Sequence, residues 1–238
     1  MGEIWDPFGT LHNALWIGGG QWAGKSTVAN LLARRYGITA YHYDYHDARG
    51  HDDRRIARRA ERGEPLPGPD PDQVWVVPTP EEMAADTLRG FPERFGWVLD
   101  DLRALVSGRP ILAEGWGLRP ELVAPLLDAP ERMIVLVPTP EFHRHQTQVL
   151  ERAGRLDARV SDPERAQRNR LARDRLVAAD AVAQARRLGI RVLAVDGTRP
   201  VEAIAGDVAA HFHLYLRDPS GSGPEISVPP RQRGSGLS

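Results

Sequence analysis

The 238-residue chain contains no cysteine, which excludes disulfides and cysteine-ligated zinc without fixing a compartment. It has no apolar run of membrane-spanning length. Its first residues, Met1-Gly2-Glu3-Ile4-Trp5-Asp6-Pro7, lack the basic-then-apolar order of a signal peptide, and Asp6 stands where myristoylation asks for Ser or Thr. Excess charge is missing too: a formal net charge of −1 gives no general attraction for nucleic acid or for an anionic membrane. These absences set the expectation of a soluble, cytoplasmic protein. The length suits one domain, residues 1–217, large enough to bury a full core. Lysine is almost absent as well. Lys25 is the only one, and the remaining cationic residues are all arginine.

That single lysine lies in Gly19-Gly20-Gln21-Trp22-Ala23-Gly24-Lys25-Ser26-Thr27, which fits G-x-x-x-x-G-K-[ST] at every fixed position. The apolar run Leu15-Trp16-Ile17 before it reads as a strand. After it, Val28, Leu31, Leu32 and Tyr36 share a helical face that ends at Gly37. Strand, glycine loop and helix form the context of a phosphate-binding loop. Its backbone N–H groups turn toward phosphate oxygens at the positive end of the helix. Lys25 is expected to reach the β- and γ-phosphates, and the Ser26 hydroxyl to hold Mg²⁺. A compact ammonium suits this position better than the planar fork that the chain uses everywhere else. The expected ligand is a nucleoside triphosphate.

Further along, Thr39 to Tyr43 reads as a second strand ending in Asp44. Residues 45–108 form an insertion too long for a plain connection in a compact α/β unit, so it is expected to have a task of its own. Within it, Arg54 to Arg62 is helix-prone, Thr79-Pro80-Glu81-Glu82 opens a helix with a capping box, and a separate helix is expected over Glu93 to Val106. Ile111-Leu112-Ala113-Glu114 is a buried strand ending in an acid, and Met133 to Val137 a further strand, with Thr139-Pro140-Glu141 starting the next helix. Ser161-Asp162-Pro163-Glu164 starts a helix reaching about Leu188, and Ile190 to Val195 is the last strand. Residues 218–238, rich in Pro, Gly and Ser, read as a disordered tail. Five apolar strands alternating with helices imply a parallel sheet covered on both faces. Ligands of such sheets bind beyond the carboxyl ends of the strands, where the glycine loop, Asp44, Glu114 and Gly197 all fall.

On these motifs the chain resembles, over roughly residues 11–213, the P-loop kinases of nucleoside monophosphates and small metabolites, such as gluconate kinase, shikimate kinase, chloramphenicol phosphotransferase and the adenylate-kinase group. The resemblance implies a three-layer P-loop NTPase sandwich with strand order 2-3-1-4-5, an acceptor-binding insertion (45–108) and an arginine-bearing lid (152–175). It implies ATP and Mg²⁺ as cofactors and transfer of the γ-phosphoryl group to a hydroxyl of a small-molecule acceptor. Residues Gly19, Gly20, Gln21, Trp22, Ala23, Gly24, Lys25, Ser26, Thr27 and Gly197 would bind the nucleotide. Asp44 would take the acceptor proton, with Asp47 as the runner-up and a turn or helix-cap Asp as the structural alternative. Glu114 corresponds to a Walker-B acid that orients Mg²⁺ with Ser26, or else to a second acid/base on the acceptor. Arg152 and Arg155 would neutralise the transferring group, with Arg159 further into the lid. Arg165, Arg168, Arg170, Arg173 and Arg175 read as a solvated helix face. Trp116 and Arg119 either contact the acceptor or, respectively, pack the loop and lie on the surface.

Two other functional classes are weighed against this. A nucleoside or nucleoside-monophosphate kinase would need arginines for the acceptor's phosphate, and Arg54, Arg55, Arg58, Arg59 or Arg119 could supply them. A nucleotide-dependent switch that hydrolyses slowly lacks support, because a one-lysine chain has no N-K-x-D guanine signature. A last cluster, His42, His46, Asp47, His51, Asp52 and Asp53, suggests a metal site. Histidines four apart align only on a helix, however, and this segment reads as a strand running into a loop. It is therefore expected to be acceptor-binding or solvated. Tyr41, Tyr43 and Tyr45 would alternate along the strand and share a face.

Overall fold

The computed structural model describes residues 5–66, 70–150 and 160–216. Five strands, β1 (Leu15–Gly19), β2 (Thr39–His42), β3 (Ile111–Glu114), β4 (Met133–Pro138) and β5 (Arg191–Val195), form one sheet. Its order is β2-β3-β1-β4-β5 and every pairing is parallel, as expected. The register sets Glu114 between Ile17 of β1 and His42 of β2, so the ends of these strands meet in one row. All five residues of β1 are buried, as for a strand covered on both faces.

Side-chain alternation along β1 divides the core in two. Leu15 and Ile17 pack with Val28 and Leu32 of α1 (Lys25–Tyr36) and with Ile204, Val208 and Phe212 in and just after the C-terminal helix (Val201–His211). Trp16, fully buried on the other face, lies 6.1 Å from the ring of Phe95, among Phe91, Val98 and Leu102. Among the described residues no helix is long and apolar enough to cross a membrane.

The chain departs from expectation in three places. First, β2 stops at His42. Tyr43–Tyr45 is already a helical turn, followed by a π-helical turn, His46–Gly50, closed by the His51 N–H donating to the His46 carbonyl at 2.9 Å. A helix α2 (Asp52–Glu61) continues from it. The three tyrosines therefore do not share a strand face: Tyr41 and Tyr43 are buried, while Tyr45 is 68% exposed.

Second, the two helices expected in the insertion are one, α3 (Pro80–Leu105), running through Pro92. Its start carries the capping box, with Thr79 and Glu82 exchanging hydrogen bonds. Proline removes a donor and crowds the carbonyl four residues back. Nearby, the Arg94 guanidinium donates to the carbonyls of Gly90 at 3.1 Å and Thr87 at 3.3 Å. Phe91, Phe95, Val98 and Leu102 keep one stripe against the sheet on both sides of the proline.

Third, only part of the face expected to be solvated on the long helix Pro163–Arg187 is exposed. Arg165, Arg168 and Arg175 are exposed, whereas Arg170 and Arg173 are half-buried. The Asn169 side chain ties this helix to the insertion by donating to the carbonyls of Trp75 (3.2 Å), Val76 (3.4 Å) and Pro78 (3.1 Å).

Candidate active site

The glycine loop adopts the backbone that its residue types demand. Gly19 has φ +117°, and a Cβ there would sit 2.1 Å from the Leu136 carbonyl oxygen of the neighbouring strand. Gly24, with φ +78°, forms the N-cap of α1 and offers no side chain to the first-turn N–H groups. Donors and the positive end of the helix dipole are thus left for an anion. Lys25 is buried, and its Nζ donates to the Gly20 carbonyl at 2.6 Å, holding the ammonium within the loop. A cavity of 240 Å³ is lined by Gln21 to Thr27 and by Asp44.

Asp44 lies in the helical turn just after β2. Burial pushes its carboxyl up to about 6; Lys25 and the Trp116 N–H, which donates to it, pull the other way, while Glu114 and Asp47 add to the rise. Its Oδ1 is buried without a hydrogen-bond partner. Asp47 does not line this cavity. It is held by Arg55, which also donates to its backbone carbonyl, and by Arg94 at 3.5 Å.

Glu114, at the end of β3, is only 1% exposed. Its Oε1 is 2.7 Å from Nδ1 of His42, the residue beside it in the sheet. That hydrogen bond raises the His42 pKa, against the opposing effect of burial. Oε2 has no partner. A buried carboxylate oxygen left unpaired costs free energy unless a cation or donor meets it. Gly115, with φ +153°, lets the chain turn over Tyr43, whose Cβ would lie 2.3 Å from any side chain placed there.

A second cavity of 360 Å³ adjoins the loop through Trp22, Ala23, Gly24 and Thr27. It is lined also by Phe142 and Gln146 of the helix Pro140–Val149, with Gly197 and Arg199 from the turn after β5. Gly197 has φ +80°, and a Cβ would come 2.4 Å from the Phe142 ring. The Thr198 N–H donates to Asp196 Oδ1 at 2.9 Å and fixes this turn.

The arginines sort differently from their reading in the sequence. Arg152, Arg155 and Arg159 lie outside the described residues. Arg119 neither sits on the surface nor faces the cavity. It is 1% exposed, donates to the Val177 carbonyl at 3.0 Å and pairs with Glu121 and Asp180. Arg54, Arg55, Arg58 and Arg59 are each engaged with acids, Asp100 and Asp101, Asp47 and Asp52, Glu61 and Glu93, and Glu64 respectively. Arg170 and Arg173 lie instead against aromatic rings: Arg170 over Trp22, and Arg173 over both Trp75 and Trp116 at 5.3 and 5.2 Å. Sequence reasoning also missed His42 as the partner of Glu114, and Phe142 in the lining of the second cavity. The Thr139-Pro140-Glu141 cap locates Phe142's helix, but nothing local points it at Gly197.

No protein-family model matches this sequence, and no curated protein matches it. Among solved structures the chain is similar to a gluconokinase from Sinorhizobium meliloti 1021 (16% identity, TM-score 0.41, covering 85% of this chain and 93% of that one). It is similar also to shikimate kinase from Aquifex aeolicus (17% identity, TM-score 0.37, 83% and 94%). A third is shikimate kinase from Acinetobacter baumannii in complex with shikimate (17% identity, TM-score 0.43, 89% and 100%).

Proposed function

We propose that this protein is an ATP- and Mg²⁺-dependent kinase that transfers the γ-phosphoryl group to a hydroxyl of a small-molecule acceptor. The observation that carries the reading is the shared cavity of the glycine loop and Asp44, which brings an anion cradle and a carboxylate with a raised pKa to the lining of one space. Phosphoryl transfer asks a protein mainly for positioning and charge neutralisation. In this reading the loop N–H groups and Lys25 hold the triphosphate, and the cavity lined by Phe142 and Gly197 takes the nucleoside. Asp44 accepts a hydrogen bond from the acceptor hydroxyl and takes its proton as the bond to phosphorus forms. Arg152 and Arg155 are assigned to the transferring phosphoryl group.

Ser26 and the unpaired Oε2 of Glu114 fit a divalent cation, since both supply hard oxygen donors and the second otherwise stays buried without a partner. Mg²⁺ held there would neutralise β- and γ-phosphate charge. His42 keeps Glu114 in place from the other side.

The pairing of Arg54, Arg55, Arg58 and Arg59 with acids supports a neutral hydroxyl over a phosphate-bearing acceptor. The test is coupled ADP release against a panel of hydroxyl metabolites, nucleosides, nucleotides and aminoglycoside- or phenicol-type drugs, with Lys25→Ala as the blank. Release that rises with one acceptor class and vanishes in the blank supports the proposal. Slow release indifferent to every acceptor favours a nucleotide switch.

A further inference from the structure

The π-helical turn after β2, His46–Gly50, has a consequence away from the cavity. In an α-helix, residues five apart point about 140° from each other. The π-helical turn His46–Gly50 alters that register, and the side chains of His46 and His51 both reach Asp101 of α3. His46 Nδ1 lies 3.5 Å and His51 Nε2 2.8 Å from the same oxygen, Asp101 Oδ2, and the three donor atoms all fall within 4.8 Å of one another. π-turns occur disproportionately at functional sites.

Each of the three is fixed by its surroundings. The His46 ring stacks on Tyr41, centroids 4.3 Å apart and planes 18° from parallel. His51, 2% exposed, stands edge-on to Trp97 at 5.5 Å. Asp101 is oriented by the Tyr41 hydroxyl, which donates to Oδ2 at 2.8 Å. The His46 side chain is partly exposed to solvent.

We propose that His46 Nδ1, His51 Nε2 and Asp101 Oδ2 form a binding site for a transition-metal dication, zinc above all, separate from the Mg²⁺ position at Ser26 and Glu114. Two imidazoles with one carboxylate suit Zn²⁺ rather than Mg²⁺ or Ca²⁺, which prefer all-oxygen sites. Ligand atoms about 2.0–2.1 Å from a tetrahedral zinc stand roughly 3.3–3.4 Å apart. The His46–Asp101 separation already matches. The His51–Asp101 separation is that of a hydrogen bond, so the metal replaces the proton between those two groups and releases it to solvent. The bound ion ties the π-turn, and with it the segment bearing Asp44, to α3.

The test uses the full chain without any histidine tag, stripped with chelator and titrated with Zn²⁺ and with Co²⁺ in excess Mg²⁺. One equivalent of Zn²⁺ should bind, raise the melting temperature and be removed by chelator, and Co²⁺ should give the strong visible absorption of a four-coordinate site. His46→Gln, at a half-exposed position, should weaken binding by at least about tenfold while unfolding in chelator at the same midpoint as the parent. Asp101→Asn should do the same to the affinity. The proposal is overturned if the parent takes up no zinc, if Co²⁺ shows only the weak bands of six-coordination, or if His46→Gln binds as tightly as the parent.

Discussion

Replacing Asp44 with Asn should stabilise the protein at neutral pH while it damages the activity, and the stability gain should depend on pH in a defined way. The carboxyl ordinarily titrates near 3.8 and is pushed to about 6 in the folded chain, chiefly by burial. A raised carboxyl pKa means that the folded state holds the proton more tightly than the unfolded state. Above about pH 6 both states are ionised and the fold bears the cost of the desolvated charge, about 3 kcal/mol for a carboxyl raised from 3.8 to about 6. As pH falls through 6 the native carboxyl is protonated first and the cost is relieved.

Between pH 8 and pH 4.5, with values of about 6 and 3.8, the parent should recover about 2 kcal/mol relative to Asp44→Asn, which has no charge to lose. Urea unfolding of both proteins at the two pH values measures this as a difference of differences, in which every other titrating group common to both cancels. Asn keeps the carbonyl that accepts from the Trp116 N–H, so the substitution removes the charge with little change of shape. A stability gap that is the same at pH 8 and pH 4.5 would refute the reasoning, because Asp44 would then be solvated in the free protein. The same shift predicts that kcat/KM for the acceptor rises through about pH 6 in the parent.

Gly197→Ala should cost about 1–3 kcal/mol, from the positive φ and the approach to Phe142, and weaken binding of a fluorescent ATP analogue. Arg119→Leu should destabilise by about 3 kcal/mol in chemical denaturation, since Glu121, Asp180 and the Val177 carbonyl lose a shared donor; Arg119→Lys should not restore it, lacking the fork that reaches all three. The His42–Glu114 pair raises the histidine pKa, so its contribution is complete below the ordinary histidine value and is lost as pH rises through the folded one. His42→Gln should therefore flatten the decline of stability above the ordinary histidine value, and NMR titration of the ring should show the upward shift directly.

The parts of this structure legible in the sequence are those set by strictly local constraints. The glycine loop could be read because positive φ at Gly24 and the contact of Gly19 with Leu136 leave glycine as the only residue that fits. The sheet could be read because strands covered on both faces are continuous apolar runs, and Glu114 stood out as an acid at the end of one. What stayed hidden depends on partners far along the chain. Nothing local tells that Arg94 donates to carbonyls beside Pro92, or that the core stripe of α3 holds the helix together through that residue. The π-turn escapes periodicity altogether, since one added residue per turn mimics a loop. That is why the histidines at 46 and 51 read as scattered polarity although they meet at one carboxylate. The arginines were least legible of all, because pairing with acids, stacking on tryptophan and open solvent are indistinguishable until the helices are placed.

The central claim is that the glycine loop and Asp44 act on one transferring group in one cavity. Its most direct test follows the γ-phosphoryl group of labelled ATP with the best acceptor, in the parent and in Asp44→Asn, and measures how the label divides between acceptor and water. The account predicts label on the acceptor in the parent, a fall of about 10²–10⁴-fold in that transfer for Asp44→Asn, and nucleotide affinity unchanged within a few-fold. Label that goes only to inorganic phosphate in the parent, or reaches the acceptor equally fast in both proteins, would contradict it.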